Sequence, residues 1–330
     1  MATQSVELGR AWDDVFSGWT EELLLGRKYQ KPRRAPSAKS SWSGAVVGTA
    51  AVPDYAGKGS KADVSARLFA MAKGSRQVMV KITGASKSVK AMKRHMDYLS
   101  REGELALTDQ DGNPVQGADE LKTLAWAWEH TGPKLDESAD RKEAFHIVFS
   151  MPEGTDARAL AAAVRATASV EFAGHPWAMV QHFDEPQVHA HVLVKAEALN
   201  GRRLNPRKAD LQRWRERFAH ELRERGIEAE ATRRIARMRQ TKINKPWAVT
   251  RLEERGVPAS RRTAPDPARV NAWTASFKRT VTTHGKIIDA LGRSTDAQDR
   301  ALAQELGKLL AEKTQGHVPT PVRKTPELER

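Results

Sequence analysis

The stretch Gln181–Val194, QHFDEPQVHAHVLV, leaves a chain few ways to fold. Side chains alternate across a strand, so Val188, Ala190, Val192 and Val194 form one apolar face while His189 and His191 share the other. His182 and Asp184 project together from the segment before the DEPQ turn. A turn there predicts an antiparallel hairpin that sets Asp184 opposite His189 and His182 opposite His191. Directly opposed β-carbons lie about 4.5–5.5 Å apart, so four polar side chains crowd one face of a sheet. Three converging imidazoles can hold a divalent ion through neutral ring nitrogens and leave positions open for a substrate oxygen. Asp184 would either orient one histidine or act as a base. A one-residue slip in register would scatter the set.

Composition narrows the chemistry around that hairpin. The 330 residues include no cysteine, which removes disulfides, thiolate zinc sites, iron–sulfur clusters and cysteine nucleophiles. A metal must be held by His, Asp or Glu, and a nucleophile must be Ser, Thr, Tyr, Lys or a carboxylate. Fifty-five Lys and Arg against 41 Asp and Glu leave a formal charge of +14, a field that favours polyanions, nucleic acid before an anionic membrane surface. No apolar run approaches a membrane span and the N-terminus lacks a charged-then-apolar signal pattern, so a soluble cytoplasmic protein is expected.

Periodicity predicts five regions. Residues 1–30 carry an amphipathic helix over 7–29 with Trp12, Phe16, Trp19 and Leu23 on one stripe. Residues 31–76 read as a flexible basic arm rich in Lys, Arg, Pro, Ser and Gly. Residues 77–240 form the main domain, an α/β (α+β) arrangement with a central antiparallel sheet and helices on its faces. Its predicted elements are strands at 77–83, 144–151, 176–183 and 188–195, and helices at 87–101, 119–130, 156–172 and 207–225. Residues 241–315 add two helices, and 316–330 form a disordered tail.

The chain has only three tyrosines, Tyr29, Tyr55 and Tyr98. The first two fall in or beside the arm, where a catalytic group is hard to hold. Tyr98 lies on the predicted helix 87–101, with Arg94, His95 and Arg101 on its face. Nearby cations favour phenolate over phenol and would grip a phosphate. Alternatively, Tyr98 half-buries its ring and uses its hydroxyl at the rim.

MDYLSREG (96–103), FHIVFSMPEGT (145–155) and QHFDEPQVHAHVLV (181–194) occur in this order. That order resembles the three motifs of conjugative DNA relaxases, nearest to the mobilisation-protein branch that includes the border endonuclease of transferred DNA. The resemblance spans roughly residues 77–240 and implies a relaxase-like three-histidine endonuclease core. It implies metal-dependent transesterification on single-stranded DNA at an origin of transfer. Tyr98 would attack a phosphodiester, keep a 5′-phosphotyrosine and release a 3′-hydroxyl. His182, His189 and His191 would form the cradle for Mg2+ or Mn2+, with Zn2+ a further option. Ser150 would help hold DNA beside the cut. Accessory DNA-binding proteins and a type IV secretion coupling protein are the implied partners, and the protein would be exported attached to its DNA. Three features depart from the family: about 75 residues precede the first core strand, Val188 stands where a proline often precedes the paired histidines, and no helicase or primase motif follows.

DNA contacts are expected from Arg94 and Arg101 beside Tyr98, and from Arg202, Arg203, Arg207 and Lys208 at the start of a basic run. That run continues to Lys245, with Trp214 and Trp247 as stacking or core residues, and reads equally as a solvated helical face because Glu216, Glu221 and Glu224 alternate with it. Two other functions fit the same residues: a rolling-circle replication initiator, which normally places its histidines before its tyrosine, and a non-catalytic DNA-binding accessory protein.

Overall fold

The computed structural model describes residues 61–131, 141–234, 236–238 and 267–315. The expected helix over 7–29, Tyr29, Tyr55, most of the arm, Arg239, Lys242, Lys245, Trp247 and the tail from 316 lie outside the described residues. What is described divides into two units, one of Gly74–Ala231 and one of Lys61–Lys73 with the described residues from Thr232 onward.

The first unit is built on a six-stranded antiparallel sheet in the order β1-β4-β6-β5-β2-β3. The strands are β1 (Met79–Ser86), β2 (Leu107–Asp109), β3 (Pro114–Val115), β4 (Ala144–Ser150), β5 (Trp177–His182) and β6 (His189–Lys195). Alternation decides the faces, as the sequence predicts. Val80, Phe145, Ile147, Phe149, Met179, Ala190, Val192 and Val194 turn to one side. There they pack on α4 (Ala157–Glu171) and α5 (Lys208–Arg223), with Phe149 edge-on to Phe218 and Phe172 edge-on to Trp214. Trp214 is thus a core residue. Asp156 starts α4 by accepting the Ala159 amide at 2.6 Å, and Glu171 at its end holds Arg213 and Arg217 of α5, each at 2.8 Å.

The other face is covered by α2 (Val89–Ser100) and α3 (Ala118–His130). Met92, Met96, Leu99, Leu121, Ala125 and Trp128 cluster there with Ala178, Val180 and Leu193. Of the neighbouring tryptophans on α3, Trp128 is buried and Trp126 exposed, as an i, i+2 pair on one helix requires. Ser88 caps α2 by accepting the Ala91 amide at 3.2 Å. The helix ends in a left-handed run of Arg101, Glu102 and Gly103. Only glycine fits at 103, because a β-carbon there would meet the Gly117 backbone at 2.9 Å. The DQDGNP turn joins β2 to β3, a small hairpin that extends the sheet beyond β5.

The second unit packs α1 (Lys61–Ala72), α6 (Pro267–Gly292) and α7 (Ala297–Gln315) around Leu68, Met71, Ile287, Leu291, Leu302 and Leu306. Helix α1 corrects the expectation of a flexible arm to residue 76. Its apolar positions find partners some two hundred residues on, beyond the reach of any local pattern. No helix among the described residues is long and apolar enough to cross a membrane.

Candidate functional site

His182 closes β5, and His189 and His191 open β6, all on the face that carries α2. The strands pair His182 with His189 and Val180 with His191, a register shifted by two residues from the expected one. Pro186 explains the shift. The expected register makes Pro186 and Gln187 a two-residue hairpin turn, which demands a positive φ at its first position, whereas proline is locked near −65°. The chain therefore opens into a wider loop over 183–188. An even shift preserves which side chains share a face, so the three histidines still converge. Asp184 sits in the loop and pairs with Arg101 at 2.8 Å instead of standing opposite His189, near enough for its charge to act on the three histidines.

One nitrogen from each of the three imidazoles lies within 4.8 Å of the others. Ring centroids are 4.6 Å apart for His182 and His191, 5.2 Å for His189 and His191, and 5.6 Å for His182 and His189. Backbone carbonyls orient two of them. His182 Nε2 donates to the Leu99 carbonyl at 2.8 Å, and His189 Nδ1 donates to the Gln187 carbonyl at 3.0 Å. Those bonds leave His182 Nδ1 and His189 Nε2 as the nitrogens available to a metal ion. Asp184 was expected as an orienting acceptor; in these two cases the acceptors belong to the backbone, which no sequence pattern announces. The donor set fits a divalent ion held by His182, His189 and His191.

The Leu99 carbonyl belongs to the residue after Tyr98, so the cradle grips the helix that carries the tyrosine. Tyr98 itself is 71% exposed. Ser150 stands directly across from His189 on β4, and its Oγ reaches its neighbour's carbonyl only at 3.5 Å.

Two further histidines close the gap between helix and sheet. His95 of α2 stacks on His146 of β4 with ring centroids 3.4 Å apart and planes 8° from parallel. His146 Nε2 lies 2.9 Å from Ser86 Oγ, and its Nδ1 occupies the space over Gly84, where a β-carbon would come within 3.2 Å. A bulge in β1 between Ile82 and Gly84 brings that glycine opposite His146. Burial first, and neighbouring histidines second, push His95, His146 and His191 down to about 4. At neutral pH these rings are uncharged.

This makes a prediction for the metal-free chain. An unfolded histidine titrates near 6.5, so the folded state binds fewer protons than the unfolded one between that value and about 4. The stability tied to the neutral stack is fully present above pH ~6.5 and is lost as pH falls toward ~4. Urea midpoints in a chelator across that range should fall steadily; midpoints that stay level would contradict the assignment.

The basic residues divide sharply. Arg94 is exposed on α2, the helix of Tyr98. Arg101 is half exposed and shares its charge with Asp184, whose carboxyl is held below its usual range by a hydrogen bond from its own backbone and by Arg101. Arg202, Arg203, Arg207 and Lys208 do not reach the histidines. Arg203 donates to Glu197 at 2.6 Å and to the Lys142 carbonyl at 2.7 Å, at the Ala144 end of β4. The cradle lies at the Ser150 end, about 20 Å away along a strand of this length. Arg202 is placed near that far end too, its carbonyl accepting the Ala198 amide. Arg207 and Lys208 begin α5, which packs on the sheet's opposite face. Further along the run, Arg215 donates to the Val80 carbonyl at 2.8 Å and Arg225 pairs with Glu221. Much of this positive charge is spent inside the fold.

An antiparallel sheet that gathers three imidazoles beneath a helix with an exposed tyrosine is suited to cutting a phosphodiester. Residues 98–227 match the family model described as relaxase, MobA/VirD2-like, nuclease domain. That stretch is a relaxase nuclease domain of the MobA/VirD2 type, and the chain therefore carries a DNA endonuclease. Among curated proteins none matches the chain.

Proposed function

We propose that this relaxase nicks one strand of DNA at an origin of transfer and stays covalently attached to it for plasmid mobilisation. The observation that carries this reading is the 2.8 Å bond from His182 to the carbonyl beside Tyr98, which ties the phenol's helix to the three-histidine group. Tyr98 Oη attacks the scissile phosphorus, the bond to the 3′-oxygen breaks, and a 5′-phosphotyrosine and a 3′-hydroxyl result. The phenol gives up one proton and the 3′-oxygen takes up one, so the energy of the bond is kept and religation needs no ATP. Mg2+ or Mn2+ held by His182, His189 and His191 would supply positive charge to the non-bridging phosphate oxygens. Ser150, across from His189, is suited to hold the strand beside the cut. Accessory proteins would melt the duplex, and a type IV secretion coupling protein would receive the adduct.

The test is denaturing electrophoresis of the full chain with Mn2+ and labelled single strands tiled across the DNA flanking its gene. One oligonucleotide should shift to the protein band through its 5′-phosphate side, and a protein that nicks every strand without retaining any would be a water-using hydrolase instead. Calorimetric titration with Mn2+ tests the cradle separately. His191→Ala removes a ligand and should weaken binding by more than the about 10- to 100-fold that losing an outer-shell partner costs, whereas unchanged affinity would place the ion elsewhere.

A further inference from the structure

Exposed positive charge without an acidic partner among the described residues lies on β1 and α2, on the side of the sheet that carries the histidines, as well as at Arg202, Arg207 and Lys208 in the basic run. Strand pairing sets out two rows on the histidine face. Met79, Ser150, His189 and His182 form one, and Lys81, Val148, His191 and Val180 the other. The β1 end of each row is open: Met79 is 44% exposed and Lys81 is exposed. Among the described residues neither Lys81 nor Arg94 has an acidic partner, in contrast to Arg203, Arg213, Arg217 and Arg225.

Helix geometry turns Tyr98 toward this open strip. The stripe Met92, Met96 and Leu99 clusters with Ala178, Val180 and Leu193 of β5 and β6. His95, next around the helix, stacks on His146 of β4. Tyr98 follows in the same sense, at 100° per residue, on the flank of α2 beyond His95 toward β1, and Arg94 comes after it on the outer face of the helix. This layout outlines a trough, with Met79 and Lys81 as floor, Tyr98 on the flank above, and Ser150 and His189 at its inner edge.

We propose that this trough is the path of the single strand next to the scissile phosphate. Lys81 neutralises a flanking phosphate, and Met79 packs its thioether against a base or sugar. The contact chemistry is that of single-stranded DNA: a cation for the backbone and a polarisable apolar surface for an unstacked base. The inference rests on the relaxase reading and adds to it the residues that seat the substrate.

Fluorescence anisotropy of the full chain with fluorescein-labelled (dT)20, in chelator and over a salt series, tests it. Lys81→Ala should weaken binding about five- to tenfold near 0.1 M salt and make the log–log salt slope shallower by about 0.7, the value for one phosphate contact on a single strand. Lys81→Arg should restore both. Met79→Ala should lose about threefold with the slope unchanged, because an apolar contact releases no counterion. Arg207→Ala, at the far end of the fold, should match the wild type. Both β1 side chains are exposed, so the variants keep their fold, which circular dichroism checks. Lys81→Ala with wild-type affinity and slope would overturn the trough while leaving adduct formation by Tyr98 intact. A wild-type chain that neither binds (dT)20 nor forms an adduct would overturn the relaxase reading itself.

Discussion

Tyr98→Phe should abolish the covalent DNA adduct, with a drop of at least about a thousandfold in cleavage, while leaving single-strand binding and folding nearly unchanged. The magnitude follows from the proposed role, in which the phenol oxygen forms the new bond to phosphorus; loss of an enzyme nucleophile costs about this much or more. The selectivity follows from position. The ring is 71% exposed, so deleting one hydroxyl leaves no buried partner unsatisfied, and a surface change of that size alters stability by no more than about 0.5 kcal/mol. What holds α2 in place is elsewhere: the His95–His146 stack, the Leu99 carbonyl on His182 and the Met92–Met96–Leu99 stripe. A phenylalanine variant should thus bind (dT)20 like the wild type and show the same urea midpoint. Electrophoresis that still shows a protein–DNA adduct for Tyr98→Phe would assign the nucleophile to another residue. Loss of binding together with cleavage would make the phenol a docking group.

Period-two alternation carried most of the fold. Val78, Val80 and Ile82 against Met79, Lys81 and Thr83 announce a half-buried strand, and the same parity in QHFDEPQVHAHVLV announces that three histidines share a face. Parity is robust because any even slip preserves it; register is not, because it depends on the turn, and Pro186 forbids the tight turn that alternation alone suggests. The basic run shows the opposite failure. Its charge is plain in the sequence, but whether an arginine meets a phosphate or a buried glutamate depends on partners such as Glu171 and Glu197, which only the folded chain brings near. Contacts made by backbone atoms, such as Leu99 to His182, leave no trace in residue type.

Lys195 is the strongest case of a role hidden from the sequence, and Lys195→Met should destabilise the nuclease unit by about 3 kcal/mol or more. Alternation from His191 and Leu193 puts this lysine on the helix-covered face, where a charged side chain looks out of place. It is 0% exposed. Its Nζ donates to the Trp128 carbonyl at 2.6 Å and to the Thr131 carbonyl at 2.9 Å, at the last turn and cap of α3. A helix leaves its final carbonyls without intrahelical partners and its negative dipole end pointing outward, so a cation there satisfies both needs at once. Burial lowers the lysine's pKa, and nearby Glu197 and Glu143 offset that effect. Methionine keeps the length and apolar stem of the side chain but supplies no donor. The buried Trp128 carbonyl and the part-buried Thr131 carbonyl would then lack their partner, at about 1–3 kcal/mol each where water does not replace it, and buried Glu143 would lose a compensating charge. Because α3 packs beside α2 in one apolar cluster, the loosened end should also cost the tyrosine helix support. Urea denaturation followed by tryptophan fluorescence would show the lowered midpoint, and hydrogen exchange would show earlier opening of amides near Trp128. A Lys195→Met chain within about 0.5 kcal/mol of the wild type would mean that water enters the pocket and solvates those carbonyls, so that the lysine is dispensable.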